Sequence, residues 1–238
     1  MDYFRNIVIV AAIAGAIAGL GMTVAQQFAT VPLILQAEVF EEQSSKAPAT
    51  TPEMAHEHAS GAAAHNHGEG WAPSDGIERT GFTLAVNVIT GIGFALLLVA
   101  ASELFGGLGG WHQGVFWGLA GFIAFTLAPG LGLPPELPAM PAAELGPRQL
   151  WWVGTVVSAG VALGLLFHSR SLVSVLAAVV LLVAPHIIGA PQPVSHESPI
   201  PEGLHHSFVV AAAVTTFLFW VLLGGLAGFF RERFIHAA

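Results

Sequence analysis

Long apolar runs separated by shorter polar connections make up most of the chain. A helix crosses the hydrocarbon core of a bilayer in about 20 residues, and six runs approach that length: Ile7–Leu35, Thr80–Ala101, Gly114–Leu133, Leu150–Phe167, Leu172–Ile188 and Ser207–Phe230. The pattern predicts an all-α integral membrane protein with about six transmembrane helices, arranged as up-down helical hairpins. Five is the alternative count, because the first run has a second interpretation and Pro129 interrupts the third. Residues 1–238 are expected to form one membrane domain, with residues 36–79 as a long, largely disordered, histidine-rich outer loop.

The first run also fits a cleaved signal peptide. Arg5 precedes its apolar core, and the stretch 23–25 resembles a cleavage site. However, the run continues past Gln26 and Gln27 into FATVPLIL without the polar break expected of a signal peptide. This continuity favours a membrane span.

Composition supports membrane insertion and excludes several classes of function. The chain is 54% hydrophobic and 9% charged, against about 25% charged residues in a soluble domain. It has no cysteine and a formal net charge of −8, so it offers neither thiolate metal ligands nor the basic surface that binds nucleic acid. It also has no phosphate-binding glycine loop. The lipid bilayer is therefore its expected environment, and any ATP-driven step would need another chain.

Basic residues favour a cytoplasmic location for both termini. With six spans, Arg5, Arg170, Arg231 and Arg233 share the side of the termini, whereas Lys46, Arg79 and Arg148 lie on the other side. We therefore expect a multi-pass protein of a bacterial inner membrane. Twelve of the fifteen acidic residues and most histidines then fall in the outer connections, a composition that attracts cations.

The stretch AHEHASGAAAHNHGEGW holds two H-x-H pairs, His56 with His58 and His65 with His67. On an extended chain both side chains of such a pair project to one face, so each pair can chelate one ion and Glu69 can add an oxygen. Imidazole with carboxylate suits Co, Ni, Cu and Zn. The ligand must be neutral imidazole, and the unperturbed histidine pKa is about 6.5, so capture should fail below about pH 6. The alternative is a loop of solvated histidines.

Four further residues are candidates for metal contact at or inside the membrane. His186 follows Pro185, whose missing N–H frees a helical carbonyl. His205 and His206 open the last span and are placed at the same mouth. Asn87 lies early in the second span, where its amide oxygen could meet an ion, although polar groups in spans commonly join helices instead.

Three positions suggest a weak internal repeat. Each inward-running span opens with a basic or imidazole residue and has an aromatic residue three positions later: Arg79 and Phe82, Arg148 and Trp151, His205 and Phe208. We treat the repeat as a hypothesis, since aromatic residues are common at membrane interfaces.

Hydrolytic enzymes are excluded by the motifs. HEHAS and HESPI begin like H-E-x-x-H but end in Ser60 and Ile200, and no G-x-S-x-G turn occurs. We therefore expect no enzymatic activity and no permanently bound cofactor.

Several stretches, in order along the chain, resemble the CbtA family of predicted cobalt transporter subunits. They are VPLILQAEVFE, the histidine cluster running into GEGWAPSDGIERT, LAPGLGLPPELPAM, RQLWW and APHIIGAPQP. The resemblance implies a permease subunit for cobalt uptake in cobalamin synthesis, with about five spans and a small single-span CbtB-type partner. Within the matching stretches, Asp75 and Glu78 are further candidate oxygen ligands and Met140 is a weak soft ligand.

Together these observations predict a membrane permease subunit for a divalent transition metal, with Co²⁺ as the expected ion. The alternatives are a nickel or zinc transporter, or a metal-binding scaffold or sensor that transports nothing. Homo-oligomerisation is left open.

Overall fold

The computed structural model describes residues 2–46, 73–169 and 171–235, and all regular structure in these ranges is helical. The helices are α1 (Asp2–Ala29), α2 (Val31–Lys46), α3 (Ile77–Glu103), α4 (Trp111–Gly130), α5 (Leu145–His168), α6 (Leu172–Ile188) and α7 (Glu202–Ile235). By length and apolar composition, α1, α3, α4, α5 and α7 can cross a membrane, whereas α6 is apolar but has 17 residues. The predicted all-α membrane fold with five to six spans is confirmed.

Contacts between helix ends show that successive long helices run in alternating directions. At one end of the bundle, Trp151 near the start of α5 donates a 3.1 Å hydrogen bond to the carbonyl of Pro185 near the end of α6. At the opposite end, Tyr3 of α1 donates to Glu103 at the end of α3, and Arg231 near the end of α7 pairs with the same carboxylate. We call the first the loop end and the second the terminal end. The arrangement is an up-down bundle.

The first apolar run divides into two helices at Thr30. Pro32 has no N–H to continue the hydrogen-bond ladder of α1, and it occupies the second position of α2, where no such donor is needed. The run predicted as one span is therefore α1 followed by the start of α2. Within the predicted 36–79 loop, residues 36–46 belong to α2 and residues 77–79 to α3, whereas residues 47–72 lie outside the described part of the chain.

The buried core lies where α1, α3 and α7 meet. Val10 and Ala14 of α1, Ala95 and Val99 of α3 and Leu223 of α7 are fully buried there. Helices of a membrane bundle gain stability from close packing rather than from water exclusion, so small side chains at the contact are favoured. The alanines of α1 therefore make it a central helix of the bundle.

Glycines bring α4 and α7 into backbone contact. A Cβ atom built on Gly114 would lie 2.1 Å from the carbonyl oxygen of Gly224, and one built on Gly224 would lie 2.2 Å from the carbonyl oxygen of Gly114. Four residues further along each helix, Gly118 and Gly228 are equally tight against the facing backbone. This spacing of small residues is typical of close helix crossings in membranes, and it fixes the position of α4 against α7.

The hairpin of α5 and α6 lies at the edge of the bundle and contacts the rest chiefly through the second half of α4. Ser158 of α5 donates a 2.6 Å hydrogen bond to the carbonyl of Leu181 in α6. This carbonyl lies four residues before Pro185, which has no N–H to donate to it. The carbonyl that the proline frees thus receives a donor from the neighbouring helix.

Candidate functional site

The three residues that open spans in the predicted repeat each contact an acceptor from another segment at the loop end. Arg79, in the first turn of α3, pairs with Glu38 of α2. Arg148, in the first turn of α5, pairs with Glu136 at 3.0 Å. His205, in the first turn of α7, is bonded through Nε2 to the carbonyl of Pro135 at 3.2 Å. The three positions of the proposed repeat therefore share a role, because each anchors a helix that begins at the loop end.

Two of the candidate carboxylates are engaged in local contacts. Asp75 pairs with Arg79 at 3.0 Å, and Glu78 accepts hydrogen bonds from the backbone N–H and the hydroxyl of Ser74. Met140 is half-buried and accepts a hydrogen bond from the N–H of Leu137 at 3.4 Å. These contacts hold the loop end together, and they compete with any metal ion for the same atoms.

His186 is half-buried beside Trp151 near the end of α6. The two rings meet edge to face with their centroids 5.8 Å apart. The same indole donates to the carbonyl of Pro185. His186 is thus placed by packing at the loop end.

Asn87 joins α1 to α3. Its side-chain nitrogen donates to Thr23 at 3.0 Å and to Gln26 at 2.7 Å. About two turns earlier on α3, Thr80 accepts a 3.3 Å hydrogen bond from Gln27. These bonds favour the role of helix joining for the amide nitrogen. A role of the Asn87 oxygen in ion contact stays a prediction.

The loop candidates His56, His58, His65, His67 and Glu69 lie outside the described residues. Among the residues that the structure does describe, no three His, Asp or Glu side chains group so as to hold a metal ion. The described candidates are therefore separate contact points: His186 and His205 are half-buried, and His206 is exposed.

A π-helical turn interrupts α4 at Ile123–Leu127. It contains Thr126, whose hydroxyl oxygen accepts a 3.3 Å hydrogen bond from the indole N–H of Trp220, a side chain only 2% exposed. Such turns in helices frequently occur at functional sites. Sequence reasoning missed this turn, and its one signal was Pro129 in a glycine-rich run.

At the terminal end, Arg231 is buried and joins three segments. Its guanidinium donates to Glu103 at 2.8 Å and to the carbonyl of Leu108 at 2.6 Å. Gly107 has a φ of +81°, and a Cβ atom at this position would lie 2.0 Å from the guanidinium. The positive φ and the missing side chain make room for the arginine against the α3–α4 turn.

Five long apolar helices and a sixth shorter one define a multi-pass α-helical membrane protein. The chain belongs to the family described as "Probable cobalt transporter subunit (CbtA)", whose model matches residues 4–232. The predicted family is confirmed over nearly the whole chain. No curated protein and no solved structure matches it.

Proposed function

We propose that this protein is the membrane-spanning subunit that passes a divalent transition-metal ion, with Co²⁺ as the substrate, across the inner membrane of a bacterium into the cytoplasm for cobalamin synthesis. The observation that carries the proposal is the match of residues 4–232 to a family of cobalt transporter subunits. The apolar helices supply the membrane domain that such a subunit needs. Cobalt is then the transported substrate and not a resident cofactor.

The outer histidines would capture the ion and the loop end would admit it. In this proposal the loop residues raise the local concentration of the ion; they are His56, His58, His65, His67 and Glu69. The ion then passes to His186, His205 and His206. The Asn87 oxygen replaces part of its hydration shell. Since the described candidates do not gather into one chelating group, each would hold the ion weakly. Weak, separated sites suit an ion in transit, because conduction requires that the ion also leave.

A membrane potential can drive the entry. A potential negative inside favours inward movement by about 2.3 kcal/mol per charge per 100 mV, and by about twice that for a divalent ion. We propose that a small single-span CbtB-type chain completes the transporter, as the description of the family as a subunit supports.

Uptake of radioactive Co²⁺ tests the proposal directly. Cells without other cobalt importers would express the intact protein, with and without the single-span partner, or a variant in which the four loop histidines are alanine. We expect the intact protein to raise uptake, and the loop variant to lose uptake mainly at limiting Co²⁺ while recovering at high Co²⁺. The control variant His168→Ala lies at the terminal end of α5 and should behave as the intact protein.

Three outcomes would redirect the interpretation. Without uptake in the presence of the partner, the protein would be a metal-binding scaffold or sensor. If Ni²⁺ or Zn²⁺ competed better than unlabelled Co²⁺, the substrate would be a different metal. If the loop variant lost uptake equally at low and high Co²⁺, the histidines would not act by capture.

A further inference from the structure

We propose that the cavity between α4 and α7 is the entry site for the ion, with His205 as the imidazole ligand at its rim and backbone and hydroxyl oxygens at its floor. This inference rests on the proposed transport function and assigns it a position in the bundle. The π-helical turn of α4 and the threonines that line this cavity are not among the ion ligands predicted from the sequence.

The cavity extends from the loop end into the membrane. It has a volume of about 360 Å³ and is walled by α4, α5 and α7. Pro135 lines it at the loop end, and Thr126 and Thr216 line its deeper part. His205 and Thr216 are eleven residues apart on α7, or roughly 16 Å along the axis of the helix. An ion at the floor would therefore have crossed about half of the hydrocarbon core.

The bond between His205 and Pro135 fixes which imidazole nitrogen can bind a metal. A carbonyl oxygen can only accept, so Nε2 of His205 must carry the proton in this bond. In the neutral ring the lone pair then lies on Nδ1. Metal-binding histidines are commonly oriented in this way, by donating their other N–H to a backbone carbonyl. The Nδ1 atom of His205 is thus free to bind a metal beside Pro135, which lines the cavity at the loop end.

Two hydroxyl oxygens are available at the floor. Thr216 donates its proton to the carbonyl of Ala212 at 2.7 Å, which leaves the lone pairs of its oxygen for a cation. Thr126 accepts from Trp220, and its oxygen keeps a second lone pair. Such oxygens can replace water around a divalent cation.

The π-helical turn adds carbonyl oxygens next to these hydroxyls. The N–H of Ala128 donates to Ile123, and that of Leu131 donates to Leu127. Between these acceptors lie the carbonyls of residues 124, 125 and 126. Pro129 has no N–H, so Gly130 holds the single remaining helical amide for three carbonyls. Carbonyls freed of helical partners at membrane depth are tolerated where they line a cavity, and in transporters they coordinate cations.

A second cavity has the wrong chemistry for an ion. It has a volume of about 270 Å³ and is lined by apolar and aromatic side chains, among them Phe94, Leu163 and Phe167. It offers neither an imidazole nor a hydroxyl. Of the two, the α4–α7 cavity is therefore the one that suits a cation.

Because the chain contains no cysteine, single introduced cysteines can report access to the cavity. Ala212→Cys places a thiol on its wall, and Val214→Cys places one on the same helix at the same depth but facing lipid. A membrane-impermeant thiol reagent added on the loop side should modify Cys at 212 at least tenfold faster than Cys at 214, since thiolates do not form in lipid. Co²⁺ should slow the reaction at 212, and Mg²⁺ should not.

A second change tests His205 itself. In the Ala212→Cys background, His205→Ala should abolish protection by Co²⁺, whereas His196→Ala, an exposed histidine of the same end, should retain it. If Ala212→Cys fails to fold, Ala213→Cys, which also lies on the cavity wall, serves in its place. Equal reactivity at 212 and 214, no slowing by Co²⁺, or protection that survives His205→Ala would overturn the assignment. Absence of uptake by the intact protein would overturn the proposed function instead, whatever the thiol reaction shows.

Discussion

Replacing Gly114 by alanine should weaken the contact between α4 and α7 measurably. The added methyl carbon would lie 2.1 Å from the carbonyl oxygen of Gly224, whereas ordinary contacts begin at 3.4 Å. The two helices must therefore separate by the difference, about 1.3 Å. The atom that it meets is backbone and cannot rotate away. Overpacking of this kind costs about 1 to 3 kcal/mol, and a backbone clash belongs at the upper limit. The higher helix propensity of alanine offsets about 1 kcal/mol of this loss of stability.

The net loss is therefore about 2 kcal/mol, which lowers the melting temperature by roughly 4 to 8 °C for a chain of this size. The assay is the thermal transition of purified protein in detergent, followed by tryptophan fluorescence. Gly93→Ala is the matched control, because a Cβ atom there meets nothing within 4 Å and should raise stability by up to about 1 kcal/mol. If both variants shifted the transition equally, the close approach of α4 and α7 would be refuted.

Three further predictions concern Arg231, Ser158 and the loop histidines. Arg231→Gln should lower the melting temperature far more than Arg233→Gln, since it leaves the Glu103 carboxylate without its cationic partner at a cost of about 3 kcal/mol. Ser158→Ala should cost about 1 to 3 kcal/mol by removing the donor to Leu181, measured by the same transition, and Ser158→Thr should restore most of the loss. Uptake measured from pH 7.5 to 5.5 at limiting Co²⁺ should fall below about pH 6, and more steeply in the intact protein than in the variant without the four loop histidines, which still has His186 and His205; parallel profiles would contradict capture by the loop imidazoles.

The membrane helices could be predicted from the sequence because apolar runs of bilayer length have few alternatives. The run 172–188 matches α6 at both ends, and four of the other runs differ from their helices by at most five residues at either end, whereas the first run divides into two helices at Thr30. The extent of α2 could not be predicted, because QAEVFEEQSSK looks like a polar loop. Its place depends on Ala37, which is buried against Leu137 and Phe208 from distant parts of the chain.

The candidate site could be predicted only in part, because its residues stand out locally but their partners lie in distant parts of the chain. His205 stood out because it opens an apolar run, but its acceptor Pro135 lies 70 residues earlier, and no local pattern connects them. The π-helical turn of α4 could not be predicted from Pro129 alone, because the run is apolar on all sides and the one extra residue changes no visible hydrophobic periodicity. Asn87 stood out as a polar residue in a span, and its role in ion contact stays a prediction; its partners Thr23 and Gln26 depend on how α1 and α3 pack.

The length of α6 has a consequence for the surrounding lipid. Its 17 residues rise about 25 Å, some 5 Å less than the hydrocarbon core of a typical bilayer. Where α6 crosses the bilayer at the edge of the bundle, this mismatch is met by thinning of the adjacent lipid or by the flanking residues, at a cost of fractions of a kcal/mol per Å. A membrane of longer acyl chains would increase the mismatch at the α5–α6 hairpin, whereas the longer helices α1, α3 and α7 would accommodate it.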